Sequence, residues 1–117
     1  MTEVVLDANA LIMPFDSSIN LDDELERVIG NPKIYVPSSV IDELNALERK
    51  DALKLAERYK TIDVEESKDT GVLEAAEKLD AVIVTNDRGL LERARKKGLA
   101  VAFLRGISHL ELIGEIF

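Results

Sequence analysis

The chain has 117 residues, of which 46% are hydrophobic and 32% charged; its net charge is −8, and it has no cysteine and one histidine. This composition predicts one globular domain, residues 1–117, and it excludes disulfides, thiolate zinc sites and cysteine nucleophiles. The acidic balance argues against a protein that coats nucleic acid nonspecifically. No apolar run approaches the ~20 residues that a membrane helix needs, and no signal-peptide pattern opens the chain, so we expect a cytoplasmic protein without a membrane partner.

The elements alternate between strands and helices. Short apolar runs bounded by polar, Gly or Pro residues predict strands at 4–6, 34–36, 81–84 and 100–104. Apolar residues at helical spacing predict helices at 22–29, 39–48, 51–60, 70–79 and 89–97. The tail "HLELIGEIF" fits either a last strand over an edge of the core or an oligomer contact. The order predicts an α/β fold with a mainly parallel sheet covered on both faces.

Two of the predicted strands are followed by a carboxylate. Asp7 directly ends the strand in "VVLDANAL", and Asp87 follows the strand in "VIVTNDRGL". In open parallel sheets the functional crevice lies beyond the carboxyl ends of the strands. If these strands are neighbours, both side chains reach one crevice. The structural alternative is that each Asp caps a helix or organises a turn, and that Thr85 bonds locally.

Two further acids lie toward the apolar faces of predicted helices. Glu43 falls at the edge of the apolar arc of helix 39–48, and Asp69 falls in the middle of the apolar face of helix 70–79. A carboxylate there is costly unless it is paired or bound to metal. A salt bridge is the alternative for Glu43, and an N-cap is the alternative for Asp69. Asp42, three residues after Ser39, is expected to form a capping pair with that serine.

Four such acids in one protein repel each other unless cations compensate them. Because Mg²⁺ and Mn²⁺ prefer oxygen ligands, whereas zinc usually recruits His or Cys, the pattern predicts a site for one or two Mg²⁺ or Mn²⁺ ions. Such a site suits hydrolysis of phosphodiesters.

The order of these motifs resembles that of the PIN-domain nucleases over nearly the whole chain. The resemblance rests on "VVLDANAL", "PSSVIDEL", "DTGVLEAAEKL" and "VIVTNDRGL". It implies a three-layer α/β/α sandwich and a metal-dependent endoribonuclease whose catalytic and metal-binding acids are Asp7, Glu43, Asp69 and Asp87. Asn9 and Thr85 match polar positions beside those acids. Gly71 departs from the pattern, since glycine inside a helix costs ~1 kcal/mol relative to alanine.

The resemblance leaves two subgroups open. One is the VapC-type toxin, which pairs with an antitoxin protein; the other is the short PIN protein of ribosomal RNA processing, which the compact length and the tail favour. Related domains also form homodimers or higher oligomers. A catalytically inactive PIN-like module that binds RNA or protein is the alternative function, although its acid set is usually incomplete. A phosphotransfer domain fits poorly, because the D-x-D pattern would require Asp at position 9.

Basic side chains that could position RNA phosphates are numerous but undistinguished in the sequence. Most are expected to lie on solvated helix faces, and only those at the rim of the acid cleft would contact phosphates. They are Lys50, Lys54, Arg58, Lys60, Lys68, Arg88, Arg93, Arg95, Lys96 and Lys97.

Overall fold

The computed structural model describes residues 1–116. Within these residues six strands form one sheet in the order β3-β2-β1-β4-β5-β6, with six helices between them. The strands are β1 (Thr2–Leu6), β2 (Pro32–Pro37), β3 (Lys60–Ile62), β4 (Val82–Val84), β5 (Val101–Arg105) and β6 (His109–Ile113). The helices are α1 (Ala8–Asp16), α2 (Leu21–Ile29), α3 (Ser38–Ala46), α4 (Lys50–Ala56), α5 (Lys68–Leu79) and α6 (Arg88–Lys96).

The sheet is parallel except for β6, which pairs antiparallel with β5. From β1 the chain moves outward to β2 and β3, and from β4 it moves the opposite way to β5. Helices α1, α2 and α3 pack against β1 or β2, α5 packs against β1, β2, β4 and also α3, and α6 packs against β5. The predicted α/β/α sandwich is confirmed. The strand order reverses between β1 and β4, where Leu6 pairs with Val84.

The sequence pattern predicts neither α1 nor β3, and it places the end of α4 too late. Helix α1 contains Pro14 and begins directly after Asp7. The helix predicted over 51–60 ends at Ala56, and Lys60 instead joins β3 and pairs with Tyr35 of β2. The side-chain hydroxyl of Tyr59 donates to Asp22 at 2.7 Å, so a tertiary contact holds the chain just beyond the helix end.

The core lies along β1 and β4 and under the helices on both faces. Val4, Val5 and Leu6 are completely buried, as are Ile83 and Val84. Strands buried on both faces read as unbroken apolar runs, which is why the sequence identified them.

Gly71 allows α5 to approach α3 closely. A Cβ at this position would clash with the side chain of Ser39 and would lie 2.5 Å from the carbonyl oxygen of Glu66. The glycine that departs from the family pattern is therefore required by packing. Ser39 does not form the predicted capping pair with Asp42, because its hydroxyl donates to the Lys68 carbonyl at 3.4 Å and α3 has no side-chain cap.

The predicted last strand is β6, which forms one edge of the sheet. Glu24 accepts a hydrogen bond from the Leu110 amide at 2.8 Å, and Arg27 donates to the Leu110 carbonyl at 2.7 Å. These contacts from α2 occupy backbone groups that an open edge would offer to another strand. Among residues 1–116, no helix is long and apolar enough to cross a bilayer.

Candidate active site

Asp7 caps α1 and is almost completely buried. Its exposed fraction is 3%, and its Oδ1 accepts a hydrogen bond from the Ala10 amide at 2.8 Å. Burial raises the pKa of Asp7 to about 7; hydrogen bonds from Thr85 and Ala10 oppose this rise, while the charges of Asp69 and Glu43 add to it. The cap that we considered as an alternative is real, yet a cap alone does not require a carboxylate in such an unfavourable environment.

Thr85 joins the ends of β1 and β4. Its hydroxyl donates to Oδ2 of Asp7 and accepts a hydrogen bond from the Asp87 amide at 3.0 Å. Thr85 is fully buried; its hydrogen bond to Asp7 is buried as well, whereas the one from the Asp87 amide is partly buried. The expected local hydrogen bond therefore exists and also connects two of the predicted acids.

Asp87 is the N-cap of α6. Its Oδ1 accepts a hydrogen bond from the Leu90 amide at 2.9 Å, as the structural alternative required. The cap also fixes the carboxylate at the switch point of the sheet, where the strand order reverses between β1 and β4. An open cleft of about 660 Å³ lies beside it. Structural and functional roles are thus compatible in this residue.

Three of the four predicted acids and one of the two predicted polar residues line this cleft. They are Glu43, Asp69, Asp87 and Asn9. Asp7 is not among the lining residues and lies buried, with its charge coupled to those of Asp69 and Glu43. Glu43 forms no salt bridge within residues 1–116, although a salt bridge was its structural alternative.

Asp69 lies in the first turn of α5, and Ser67 occupies the N-cap position instead. The N-cap alternative for Asp69 is therefore wrong. Burial raises the pKa of Asp69, the charge of Asp87 raises it further, and the cations Arg93 and Lys68 lower it. The cleft therefore holds negative charge that the protein compensates only in part.

Among residues 1–116, no three acidic or histidine side chains lie close enough to form a ready-made metal site. The donor set still fits a hard cation. All the donors are oxygens, their charges repel one another, and Mg²⁺ typically keeps several waters and contacts only one or two carboxylates directly.

Of the ten candidate phosphate contacts, only Lys68 and Arg93 line the cleft. Neither forms a salt bridge within the described part of the chain, although both lie beside carboxylates. Arg93 instead donates to the hydroxyl of Thr70 at 3.3 Å. The sequence could not have revealed Thr70 as a contact of Arg93, because the two residues lie on different helices.

The family model described as "PIN like domain" matches residues 4–107. This chain belongs to the PIN-like domain family. Ribonuclease VapC9 of Archaeoglobus fulgidus is 30% identical over 111 residues, covering 86% of this chain and 82% of the relative. Ribonuclease VapC4 of Methanocaldococcus jannaschii is 30% identical over 131 residues, covering 99% of this chain and all of the relative.

The solved structures of similar proteins share the PIN fold. The PIN domain endonuclease Utp24 superposes with a TM-score of 0.81 at 20% identity, over 98% of this chain and 95% of that one. A domain of a functionally unknown protein from Methanocaldococcus jannaschii superposes with a TM-score of 0.65 at 18% identity, over 100% and 99%. At this level of identity the similarity establishes the fold alone.

Proposed function

We propose that this PIN-family protein is a divalent-metal-dependent endoribonuclease. The observation that carries the proposal is the placement of Glu43, Asp69 and Asp87 around one cleft at the switch point, with Asp7 buried beside them. The two VapC relatives, which are ribonucleases by name, support RNA as the substrate.

The acids would hold one or two Mg²⁺ or Mn²⁺ ions. Glu43, Asp69 and Asp87 offer carboxylates at the cleft surface, and Asn9 offers an amide oxygen. Asp7 adds negative charge, and its hydrogen bonds from Thr85 and Ala10 fix the orientation of its carboxylate. When bound, such an ion supplies a water of lowered pKa and neutralises charge on the phosphoryl oxygens.

Two basic residues beside the acids would bind the phosphates of the substrate. Lys68 and Arg93 lie on the cleft wall and form no salt bridge with any other residue of the described part, 1–116, so their positive charges remain available to a phosphate. The hydrogen bond to Thr70 restrains Arg93 on α6 beside the acids without neutralising it. We assign these two side chains to holding the RNA backbone across the acid cluster, a contact that contributes affinity rather than sequence choice.

The VapC relatives favour a toxin-type ribonuclease over the ribosomal RNA processing role. An antitoxin protein is accordingly the proposed partner. The inactive binding module is disfavoured because all four acids are retained. The homo-oligomer and the cytoplasmic location stay predictions.

The test compares cleavage of labelled single-stranded RNA in Mn²⁺, Mg²⁺ and EDTA. Wild type should cleave only with metal, and Asp69→Asn should lose about a hundredfold or more, since even residues that support metal ligands contribute 10- to 100-fold. The matched control is Asp80→Asn, at the C-cap of the same helix and away from the cleft, which should retain activity. Metal-independent cleavage, or equal cleavage by Asp69→Asn, would refute the proposal.

A further inference from the structure

A second groove is lined by residues of α6, of the segment before it and of strands β5 and β6. Its volume is about 460 Å³. We call it the α6 groove. Its lining residues are Asn86, Arg88, Leu91, Glu92, Phe103, Leu104 and Ile113. The groove is therefore largely apolar, with one cation, one acid and one amide at its border.

The α6 groove adjoins the acid cleft through consecutive residues. Asn86 and Arg88 line the groove, whereas Asp87 between them lines the cleft. The two depressions therefore share the short segment that leads into α6. Asn86 also accepts a hydrogen bond from the Leu104 amide at 3.2 Å, which ties this loop to β5.

The pairing of β5 with β6 explains why apolar surface remains here. Val101 lies opposite Ile113, and Phe103 lies opposite Glu111, so these four residues share one face of the sheet. Val101 is fully buried, but Phe103 and Ile113 are only partly buried. Helix α6 therefore covers the inner part of this face and leaves an aromatic ring accessible beside β6.

Arg88 gives the groove its chemical character. It is exposed at the first position of α6, and its side chain forms neither a hydrogen bond nor a salt bridge among residues 1–116. An aromatic ring and a guanidinium are the two groups on which unpaired RNA bases stack. The opposite side of the cleft adjoins a groove whose lining includes Asp42, Glu65 and Glu66, which would repel a phosphate backbone.

We propose that the α6 groove binds the nucleobase of the nucleotide next to the scissile phosphate, with Phe103 and Arg88 as its stacking groups. The proposal rests on the proposed ribonuclease function and adds a path to it. RNA passes from the acid cleft across the start of α6, and one unpaired base enters the groove. A second copy of this chain is a different class of occupant, and the experiment separates it.

The test combines a modified substrate with a modified protein. A short RNA with one dominant cleavage site is made intact, with an abasic nucleotide on either side of that site, and with an abasic nucleotide several positions away as a control. Wild type and Phe103→Leu are compared, since leucine keeps apolar packing but lacks the ring. Arg88→Gln is the second variant; because Arg88 is exposed, we expect this substitution to leave the fold intact.

Removal of one neighbouring base should lower kcat/KM of wild type by about tenfold, because base stacking contributes that order of affinity. Phe103→Leu should lose about tenfold on intact RNA and almost nothing further on that abasic RNA. Arg88→Gln should respond in the same direction, and the distant abasic control should behave like intact RNA. Equal losses from the abasic change in wild type and Phe103→Leu would overturn the proposal.

A binding measurement keeps this result separate from the nuclease proposal. RNA carrying the fluorescent base 2-aminopurine at the same position is titrated in Mg²⁺ with Asp69→Asn and with the double variant Asp69→Asn, Phe103→Leu. Quenching by the first protein and its loss in the second supports the groove even if wild type cleaves no RNA. Absence of quenching overturns the groove assignment. A change in the oligomeric state on replacing Phe103 by leucine, seen on gel filtration without any change in RNA binding, overturns it as well.

Discussion

The hydroxyl of Thr85, which follows β4, donates a hydrogen bond to the carboxylate of Asp7, which follows β1. These two parallel strands are neighbours at the point where the strand order reverses. The same Thr85 oxygen accepts a hydrogen bond from the backbone amide of Asp87 at 3.0 Å. One buried threonine thereby connects a buried acid with an acid at the cleft surface. This connection explains why a polar residue lies at the end of β4, and it makes Asp7 and Thr85 the first residues to test.

Asp7→Asn should stabilise the metal-free protein at high pH and have less effect in acid. Burial raises the pKa of Asp7 from 3.8 to about 7. Between these values the unfolded chain releases a proton that the folded chain keeps, so the unfolding free energy of wild type falls as pH rises. The loss approaches about 4 kcal/mol as an order of magnitude. Urea unfolding of both proteins in EDTA at about pH 5 and about pH 8 measures it.

The pH dependence is what identifies the carboxylate as the cause. The stability difference between Asp7→Asn and wild type should grow across this interval. If the difference is the same at both pH values, the carboxylate is not destabilised by burial. In Mn²⁺ the order should reverse, because only wild type retains the full set of acids.

Thr85→Val should destabilise the fold by about 1–3 kcal/mol, although valine has nearly the same shape. The substitution leaves the buried Asp7 carboxylate without one donor and the partly buried Asp87 amide without its acceptor. Thr85→Val should also raise the pKa of Asp7 further, because in wild type the hydrogen bond from Thr85 lowers that pKa. Thr85→Ser keeps the hydroxyl and should retain most of the stability. Equal unfolding midpoints for Thr85→Val and wild type would contradict this account.

Gly71→Ala should lower stability by about 1–3 kcal/mol despite alanine's higher helix propensity, since overpacking costs more than the ~1 kcal/mol that propensity provides. The new methyl group would clash with Ser39 and with the Glu66 carbonyl oxygen at 2.5 Å. Glu77→Ala, at an exposed position of the same helix, is the control and should change stability by less than about 1 kcal/mol. Thermal unfolding distinguishes the two; a more stable Gly71→Ala protein would show that α3 and α5 can separate freely.

Arg93→Gln should weaken RNA binding without weakening metal binding. Arg93 lies on the cleft wall and interacts with Asp69 only at long range, lowering its pKa. Its loss removes one phosphate contact, so KM should rise and the salt dependence of RNA binding should become shallower by about one phosphate's contribution. Mn²⁺ affinity should stay equal or increase, because a nearby positive charge is gone. Lys96→Gln, exposed on the same helix outside the cleft, should alter neither quantity. Loss of Mn²⁺ binding in Arg93→Gln would instead indicate a structural role.

The sequence by itself determined the α/β order, the central strands and four acids at strand ends or on inward helix faces. These features follow from local periodicity and from apolar runs, which a chain carries whatever its partners in space. It also predicted Asp7 and Asp87 at one crevice, because parallel strands end on the same side of a sheet, whereas the structure puts Asp87 at the cleft and buries Asp7. The sequence could not predict the roles of Ser39, Gly71 and Lys60, since each depends on contact with a residue far away in the chain.

Only the tertiary structure decided how exposed each functional side chain is. It buried Asp7 while leaving Glu43, Asp69 and Asp87 at the cleft, and it selected Lys68 and Arg93 from ten basic candidates. It also left Phe103 partly accessible beside Arg88, although its side chain is apolar and lies in a strand of the sheet. Exposure and charge pairing arise where separate helices and strands meet, so no local pattern in the chain encodes them.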